Sequence, residues 1–569
     1  MATAFAAASP VDKIHPTTYE SGKRDKGNVH AWIFFTCKAQ SLARGAAEVP
    51  VTNKALERRE RRGVVSLEEG RELDRRVDPE FIRQVQATGA VIRRESRWLN
   101  AVSVRATPEQ LESVAQFSFV TQIEPVRQLV RPPLPATAGP SIPGPPAMSQ
   151  SNQLDYGPSY NQLALMNVPA LHDRGYSGKN IIVLMLDTGF YKEHEAIQPD
   201  RILDEYDFLE NDRETQNETI AEDSVGQHSH GTYTYTALGG NSPGYLIGPA
   251  YECSFLLAKT ESIPGEFQGE EDNYVAGLEW GEALGADIVS SSLGYLYWYE
   301  YEDLDGQTAI TTRAVLWATR LGMLVVTAAG NQRNSSDPPG WGGYIIAPAD
   351  ADSIIAVGAV DSKGQLTSFS SHGPTYDGRI KPEVVAQGVS VSCASPSGPA
   401  AYTHKSGTSL ATPLVAGSAA LLFQAHPTWR PADARTALMA TSSREDRPDN
   451  DYGWGIPDLL AALNYHAGKP AEYYALQIEK AYPNPFQVGT KPYIVIEWTK
   501  PYRSAVKLDV YNLLGQHVVN LYVRPSKAPG PGTAVWPVVD AKGRRVPSGI
   551  YLVRLTDGRG TTARRITVQ

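Results

Sequence analysis

Three side chains far apart in the sequence have the types needed for nucleophilic acyl transfer: the Asp187 carboxylate, the His230 imidazole and the Ser409 hydroxyl. A hydroxyl is a poor nucleophile until a base takes its proton, and a neutral imidazole acts as that base when a carboxylate fixes its tautomer. Asp187 closes an apolar run ending Leu184-Met185-Leu186 and is followed by Thr188-Gly189. His230 sits in His228-Ser229-His230-Gly231-Thr232, which opens a helix-like run. Ser409 sits in Ser406-Gly407-Thr408-Ser409-Leu410-Ala411-Thr412-Pro413, ahead of the apolar stretch Leu414 to Phe423. It therefore stands in the first turn of a helix, where N–H groups lack intrahelical acceptors and the positive dipole end favours a developing oxyanion. Taken singly, each residue has a plainer reading. Asp187 could be an ion-paired strand end, Ser409 an N-cap, and His228 with His230 a loop metal pair, although no third ligand lies at workable spacing.

The separations, 187 to 230 and 230 to 409, leave it to the fold to unite the three. Between about residues 157 and 468, apolar strands alternate with helical patterns. Tyr274 to Leu284 reads as a helix and Asp287 to Ser291 as a strand; Thr308 to Arg320 reads as a helix and Met323 to Thr327 as a strand. That alternation predicts right-handed crossovers and a doubly wound, mostly parallel sheet, an α/β unit whose sites lie beyond the carboxyl ends of its strands.

The flanks differ in character. Residues 1–28 are expected to be a flexible N-terminus. Residues 29–131 read as α+β, with a strand at Ala31 to Phe35, a charged helical stretch at Glu57 to Arg76, and a strand, helix and strand from Leu99 to Ile123. In the last of these, Thr107 caps a helix that opens on Pro108. Residues 132–156, with Pro132, Pro133, Pro135, Pro140, Pro143, Pro145 and Pro146, read as an extended linker. From 469 to 569 the period becomes two, in Ile494/Ile496/Trp498, Val506/Leu508/Val510 and Tyr551/Val553/Leu555, which predicts an all-β sandwich.

Charge follows the same divisions. Residues 1–131 hold 21 Lys and Arg against 16 Asp and Glu, residues 470–569 hold 14 against 6, and the middle is left with 18 against 40. An acidic centre between basic flanks argues against nucleic-acid binding there. The three cysteines, Cys37, Cys253 and Cys393, fit neither a disulfide framework nor a zinc spacing. No stretch approaches 18 uninterrupted apolar residues, so no membrane span is expected. Met1 to Pro10 lacks the basic start and long apolar run of an export signal.

The Asp187-Thr188-Gly189, His230-Gly231-Thr232 and Gly407-to-Pro413 blocks resemble the three active-site blocks of the subtilisin-like proteases, in that family's order. By this resemblance His230 is the general base, Asp187 orients it and Ser409 attacks the scissile carbonyl. Thr327-Ala328-Ala329-Gly330-Asn331 looks like the family's oxyanion block, which implies that Asn331 donates to the tetrahedral oxyanion. Ser290-Ser291-Ser292-Leu293-Gly294 looks like the strand beside the primary specificity pocket. Ser292, Leu293, Gly294, Ala329 and Gly330 are thus implied to bind substrate. Tyr233 stands where the family usually has a second His. His404, five residues before Ser409, lies outside these blocks and is expected on a surface loop.

The implied activity is that of a secreted serine endopeptidase made as a zymogen. The alternatives are a surface-binding protein on an inactive protease fold, and an esterase, whose Gly-x-Ser-x-Gly motif and Ser…Asp…His order do not appear. Residues 29–131 resemble the propeptide that templates folding of such enzymes and blocks their cleft, with processing between Arg127 and Tyr156. The alternative there is an ordinary N-terminal binding domain. Tyr482-Pro483-Asn484-Pro485-Phe486, Val510 to Gln516 and Pro547 to Leu552 look like the immunoglobulin-like domain that directs cargo through type IX secretion, a fold also similar to a flagellar hook-cap module. A passive sandwich aiding stability is the alternative. The expected partners are protein or peptide substrates, the chain's own propeptide and secretion machinery, in an extracellular or cell-surface setting. No cofactor is expected for the chemistry. Structural calcium could be held by the acidic stretch Asp200 to Glu222, which otherwise reads as a solvated loop, and no metal ligands are assigned.

Overall fold

The computed structural model describes residues 13–23, 27–38, 50–126, 154–263, 270–296, 299–336, 339–465, 476–487, 493–500, 506–521, 523, 530–557 and 560–569. Most of the expected linker, and the whole of 127–153 within the expected processing region, lie outside them.

The N-terminal unit is a four-stranded antiparallel sheet. Its strands are β1 (Val29–Phe35), β2 (Val91–Ser96), β3 (Ala101–Ala106) and β4 (Val120–Pro125), in the order β2-β3-β1-β4. Helices α1 (Asn53–Arg62), α2 (Leu67–Asp74), α3 (Pro79–Ala87) and α4 (Pro108–Ala115) complete it. The Thr107 side chain accepts from Gln110 N–H while Gln110 reaches back to the Thr107 N–H, a full capping box on α4. The charged stretch 57–76 divides into α1 and α2 because Gly63, at φ 56°, ends α1 and Ser66 caps α2. The expectation of flexibility through residue 28 fails at residues 13–23. Ile14 bridges Ile123 in the unit's core, and the Lys13 ammonium donates to the Ala115 and Phe117 carbonyls at 3.0 and 2.9 Å, closing the end of α4. Sequence periodicity could not show this, because these residues pack through partners a hundred positions away.

The central unit holds seven parallel strands: β5 (Ile182–Asp187), β6 (Ile202–Asp207), β7 (Ser254–Lys259), β8 (Ile288–Ser291), β9 (Leu324–Ala328), β10 (Ile355–Val360) and β11 (Val384–Gln387). Their order is β11-β10-β9-β8-β5-β7-β6. Both faces are apolar, as a doubly covered sheet requires. Val183 and Met185 of β5 join the core on one face, and Ile182, Leu184 and Leu186 join the core on the other. The first face is covered by α5 (Ser229–Gly239) and by α8 (Thr408–Ala425), and the second by α6 (Glu270–Leu284) and α7 (Ile310–Arg320). Helix α8 is long and apolar enough to cross a membrane by length and composition, yet 89% of it is buried within the fold. A hairpin of β12 (Val391–Ala394) and β13 (Tyr402–Lys405) precedes α8 and carries His404 opposite Ser392, a strand position rather than the loop expected. Tyr156, at the end of the expected linker, is buried against His172.

The C-terminal unit is a sandwich of two antiparallel sheets. One contains β14 (Gln477–Tyr482), β15 (Ile494–Lys500) and β18 (Gly530–Trp536); the other contains β16 (Lys507–Asn512), β17 (His517–Leu521), β19 (Gly549–Thr556) and β20 (Thr561–Val568). Their facing side chains, among them Trp498, Val510, Trp536 and Val553, form one core. The sandwich leans on the central unit. Tyr493 and Val495 join the central core beside Leu463, Tyr493 Oη donates to Asp173 at 3.0 Å, and Thr533 Oγ1 donates to Asp458 at 3.2 Å.

The N-terminal sheet packs against α6 and α7. Trp32, Phe34, Trp98, Leu99 and Val126 share a core with Tyr274, Leu278, Ile310 and Ala314. The rim is built of charge. Arg59 pairs with Glu282 and with Asp74, each at 2.7 Å, Arg97 with Glu282 at 3.0 Å, and Arg62 with Asp287 at 2.8 Å. Arg58 also holds Glu282. These guanidiniums and carboxylates are buried.

Candidate active site

The residues singled out at strand and helix ends converge at the carboxyl edge of the central sheet. Strand β5 ends at Asp187, where the Thr188 N–H turns back onto Asp187 Oδ1 at 2.8 Å. Helix α5 brings His230 alongside, and His230 Nδ1 lies 2.6 Å from Asp187 Oδ1. One turn later on the same helix, Thr234 Oγ1 donates to Asp187 Oδ2 at 2.9 Å. Positions i and i+4 share a helix face, so one helix engages both carboxylate oxygens. Sequence reading missed Thr234, and its spacing from His230 was the available signal. Asp187, His230 and Ser409 are all buried. A carboxylate at Nδ1 leaves the other ring nitrogen for proton transfer.

Ser409 is the second residue of α8, so its N–H belongs to the first turn, which has no intrahelical acceptor. Pro413 lies inside the helix and has no N–H to offer the Ser409 carbonyl four residues earlier. Ser292, just beyond the end of β8, fills that gap, its hydroxyl donating to the Ser409 carbonyl at 2.8 Å. In return the Ser409 hydroxyl donates to the Ser292 carbonyl at 3.3 Å. Asn331, three residues beyond β9, accepts from the Thr408 N–H and the Thr408 hydroxyl, both at 3.0 Å. With its carbonyl oxygen committed there, the two amide hydrogens of Asn331 remain as donors beside the serine.

The expected substrate-binding residues lie on the two segments that follow β8 and β9. Ser292 and Gly294 follow β8, and Ala329 and Gly330 follow β9. Leu293 also follows β8, is 3% exposed and belongs to the same apolar core as Tyr295 and Ala329.

Other candidates lie elsewhere. His228 Nδ1 accepts the Asn217 N–H at 3.2 Å, and burial lowers the pKa of this imidazole. The acidic stretch 200–222 meets its own cations. Lys192 pairs with Glu205 at 2.7 Å and Glu214 at 2.5 Å, Lys259 with Asp207 at 2.8 Å and Glu222 at 2.5 Å, and Arg213 with Asp204 at 3.1 Å. Among the described residues no three His, Cys, Asp or Glu side chains gather where a cation could be held. Burial pushes the Cys253 and Cys393 thiols up, away from thiolate chemistry. Tyr233 lies under the Lys405 ammonium, 4.8 Å from its ring centre.

Residues 178–455 match the subtilase family, and residues 30–138 match the peptidase S8 propeptide domain of Bacteroidota. Subtilisin E of Bacillus subtilis (strain 168) is 35% identical over 305 residues, covering 53% of this chain and 70% of that protein. Subtilisin of Bacillus pumilus is 35% identical over 305 residues, 53% of this chain and 97% of that one. Alkaline protease of Alkalihalobacillus alcalophilus is 29% identical over 396 residues, 67% of this chain and 87% of that one.

Proposed function

The chain belongs to the subtilase family and is a serine endopeptidase, and from that premise we propose that Asp187, His230 and Ser409 cleave peptide bonds through an acyl-enzyme. The observation that carries this reading is the 2.6 Å contact of Asp187 with His230 Nδ1, on the same strand edge as a serine in the first turn of a buried helix. For reaction the Ser409 hydroxyl leaves the Ser292 carbonyl, gives its proton to His230 Nε2 and bonds to the scissile carbonyl carbon. The charge that moves onto the carbonyl oxygen is met by the Ser409 N–H and the Asn331 amide. The imidazolium, held by Asp187, then protonates the departing amine as the C–N bond breaks. A water, deprotonated by the same imidazole, attacks the ester, releases the new carboxylate and restores the serine.

In this reading residues 29–131 are a propeptide held on the enzyme's back helices, the chain is a zymogen, and processing falls between Arg127 and Tyr156. The match to a Bacteroidota peptidase S8 propeptide supports export, and the docked C-terminal sandwich fits a sorting or surface-retention role. The chemistry requires no cofactor. The test is labelling of the purified enzyme with a fluorophosphonate, followed by peptide mapping. Adduct at Ser409 with loss of casein hydrolysis is expected; hydrolysis that survives with Ser409 unlabelled would overturn the assignment.

A further inference from the structure

Strands β8 and β9 are hydrogen-bonded neighbours up to Ser291 and Thr327, and the two segments beyond them flank the nucleophile. One touches Ser409 through Ser292, the other touches Thr408 through Asn331. A slot between these segments is where the residue on the acyl side of the scissile bond must place its side chain, if the reading above holds. That slot is already partly filled. A Cβ built on Gly294 would stand 2.3 Å from Ile346 Cδ1, and one built on Gly330 would stand 3.2 Å from the same atom. Both segments are therefore stripped to glycine where the isoleucine passes between them.

Ile346 cannot readily withdraw. Its N–H donates to the Ala329 carbonyl at 3.2 Å, its carbonyl accepts from Ala349 at 2.8 Å, and the next residue, Ala347, exchanges backbone hydrogen bonds with Tyr295 at 2.7 and 3.2 Å. Ile346 as a whole is 5% exposed. Gly330 has φ +109°, so no larger residue on that wall could take its place without strain.

We propose that Ile346 is the specificity-determining floor of the primary pocket, and that it restricts the enzyme to peptides with a small, uncharged side chain, Ala in the first instance, before the cleaved bond. This rests on the endopeptidase reading above. A branched four-carbon side chain between two glycine backbones leaves no depth for Phe, Tyr, Leu or Lys, because a filled pocket rejects added bulk by overpacking.

The test is kcat/KM of the processed full chain on tetrapeptide p-nitroanilides that differ only in the last residue: Ala, Val, Leu or Phe. Ala is expected to be preferred over Phe by on the order of 10²-fold. Ile346→Ala is expected to narrow that ratio at least tenfold by raising the Phe value, and Ile346→Val to lie between. The ratio is read within one preparation and does not depend on how much of a variant folds. Should Ile346→Ala fold too poorly to assay, the parent and Ile346→Val ratios decide. Phe turned over as well as Ala by the parent, or an unchanged ratio in whichever variant is soluble, overturns the floor while leaving the endopeptidase reading intact. No turnover of any substrate together with no fluorophosphonate labelling overturns the endopeptidase reading, and the floor with it.

Discussion

Ser292 and Ser409 exchange hydrogen bonds, hydroxyl to carbonyl in each direction, at 2.8 and 3.3 Å. The pair ties the segment after β8 to the helix that carries the nucleophile, at the one carbonyl in that turn that Pro413 leaves without its usual partner. The segment proposed to meet substrate and the proposed nucleophile are thereby tied together.

Ser292→Ala leaves that buried carbonyl unsatisfied and is expected to cost about 1–3 kcal/mol of stability, measured by urea unfolding of enzyme blocked with a fluorophosphonate. Adding Pro413→Ala returns an N–H to the helix and should recover part of the loss. If the two substitutions are simply additive, Ser292 is not completing the helix.

Ser409→Ala should leave a full-length chain that is not processed, with kcat reduced by about 10⁶-fold, the scale known for removal of the serine in a related subtilisin. His230→Ala should do the same, and the double variant should be no worse than either. Electrophoresis of purified chains and casein hydrolysis check both.

Asn331→Ala is expected to lower kcat by about 10²–10³-fold with little change in KM, again a scale taken from a related enzyme. Asn331→Asp keeps the oxygen that accepts from Thr408 and removes the donor. It should retain the parent's unfolding midpoint yet lose activity at least as severely.

The buried rim between the N-terminal unit and α6 carries a pH dependence. Burial alone would raise the Glu282 carboxyl, but Arg58, Arg59 and Arg97 outweigh it and hold it below its ordinary 4.5. A carboxyl held low in the folded chain adds stability above its ordinary value, and that contribution is lost as pH falls through the folded value. Glu282→Gln in the Ser409→Ala background should cost about 3–5 kcal/mol near neutrality, because it strands buried guanidiniums. The gap in melting temperature between Glu282→Gln and its parent should hold steady above the carboxyl's ordinary 4.5 and narrow as pH falls below it through the folded value. A gap that stays constant would mean the carboxylate charge is not what Glu282 contributes.

The parts of the site legible in the sequence were those whose chemistry dictates residue type at an element's end: Asp187 closing an apolar strand, Ser409 opening an apolar helix, and Asn331 after a third strand. Thr234 was hidden because a threonine within a helix has many uses and only the partner, Asp187, picks this one out. Arg58, Arg59 and Arg62 of α1 read in the sequence only as part of a charged helical stretch. They are buried because carboxylates more than 200 positions later lie over them, a pairing no local window contains. The parallel sheet and the sandwich were legible because period and run length reflect which faces are covered, whichever elements cover them.

The contact of the C-terminal sandwich with the central unit bears on any shortened form of the enzyme. Tyr493 and Val495 close over the last helix of the catalytic fold, and Leu463 lies beneath them. A chain ended near residue 470 would present that greasy seam to water and leave Asp173 and Asp458 without the Tyr493 and Thr533 hydroxyls. Such a product would be prone to self-association, so its failure to reach the cell surface would report damaged architecture as readily as a missing address label.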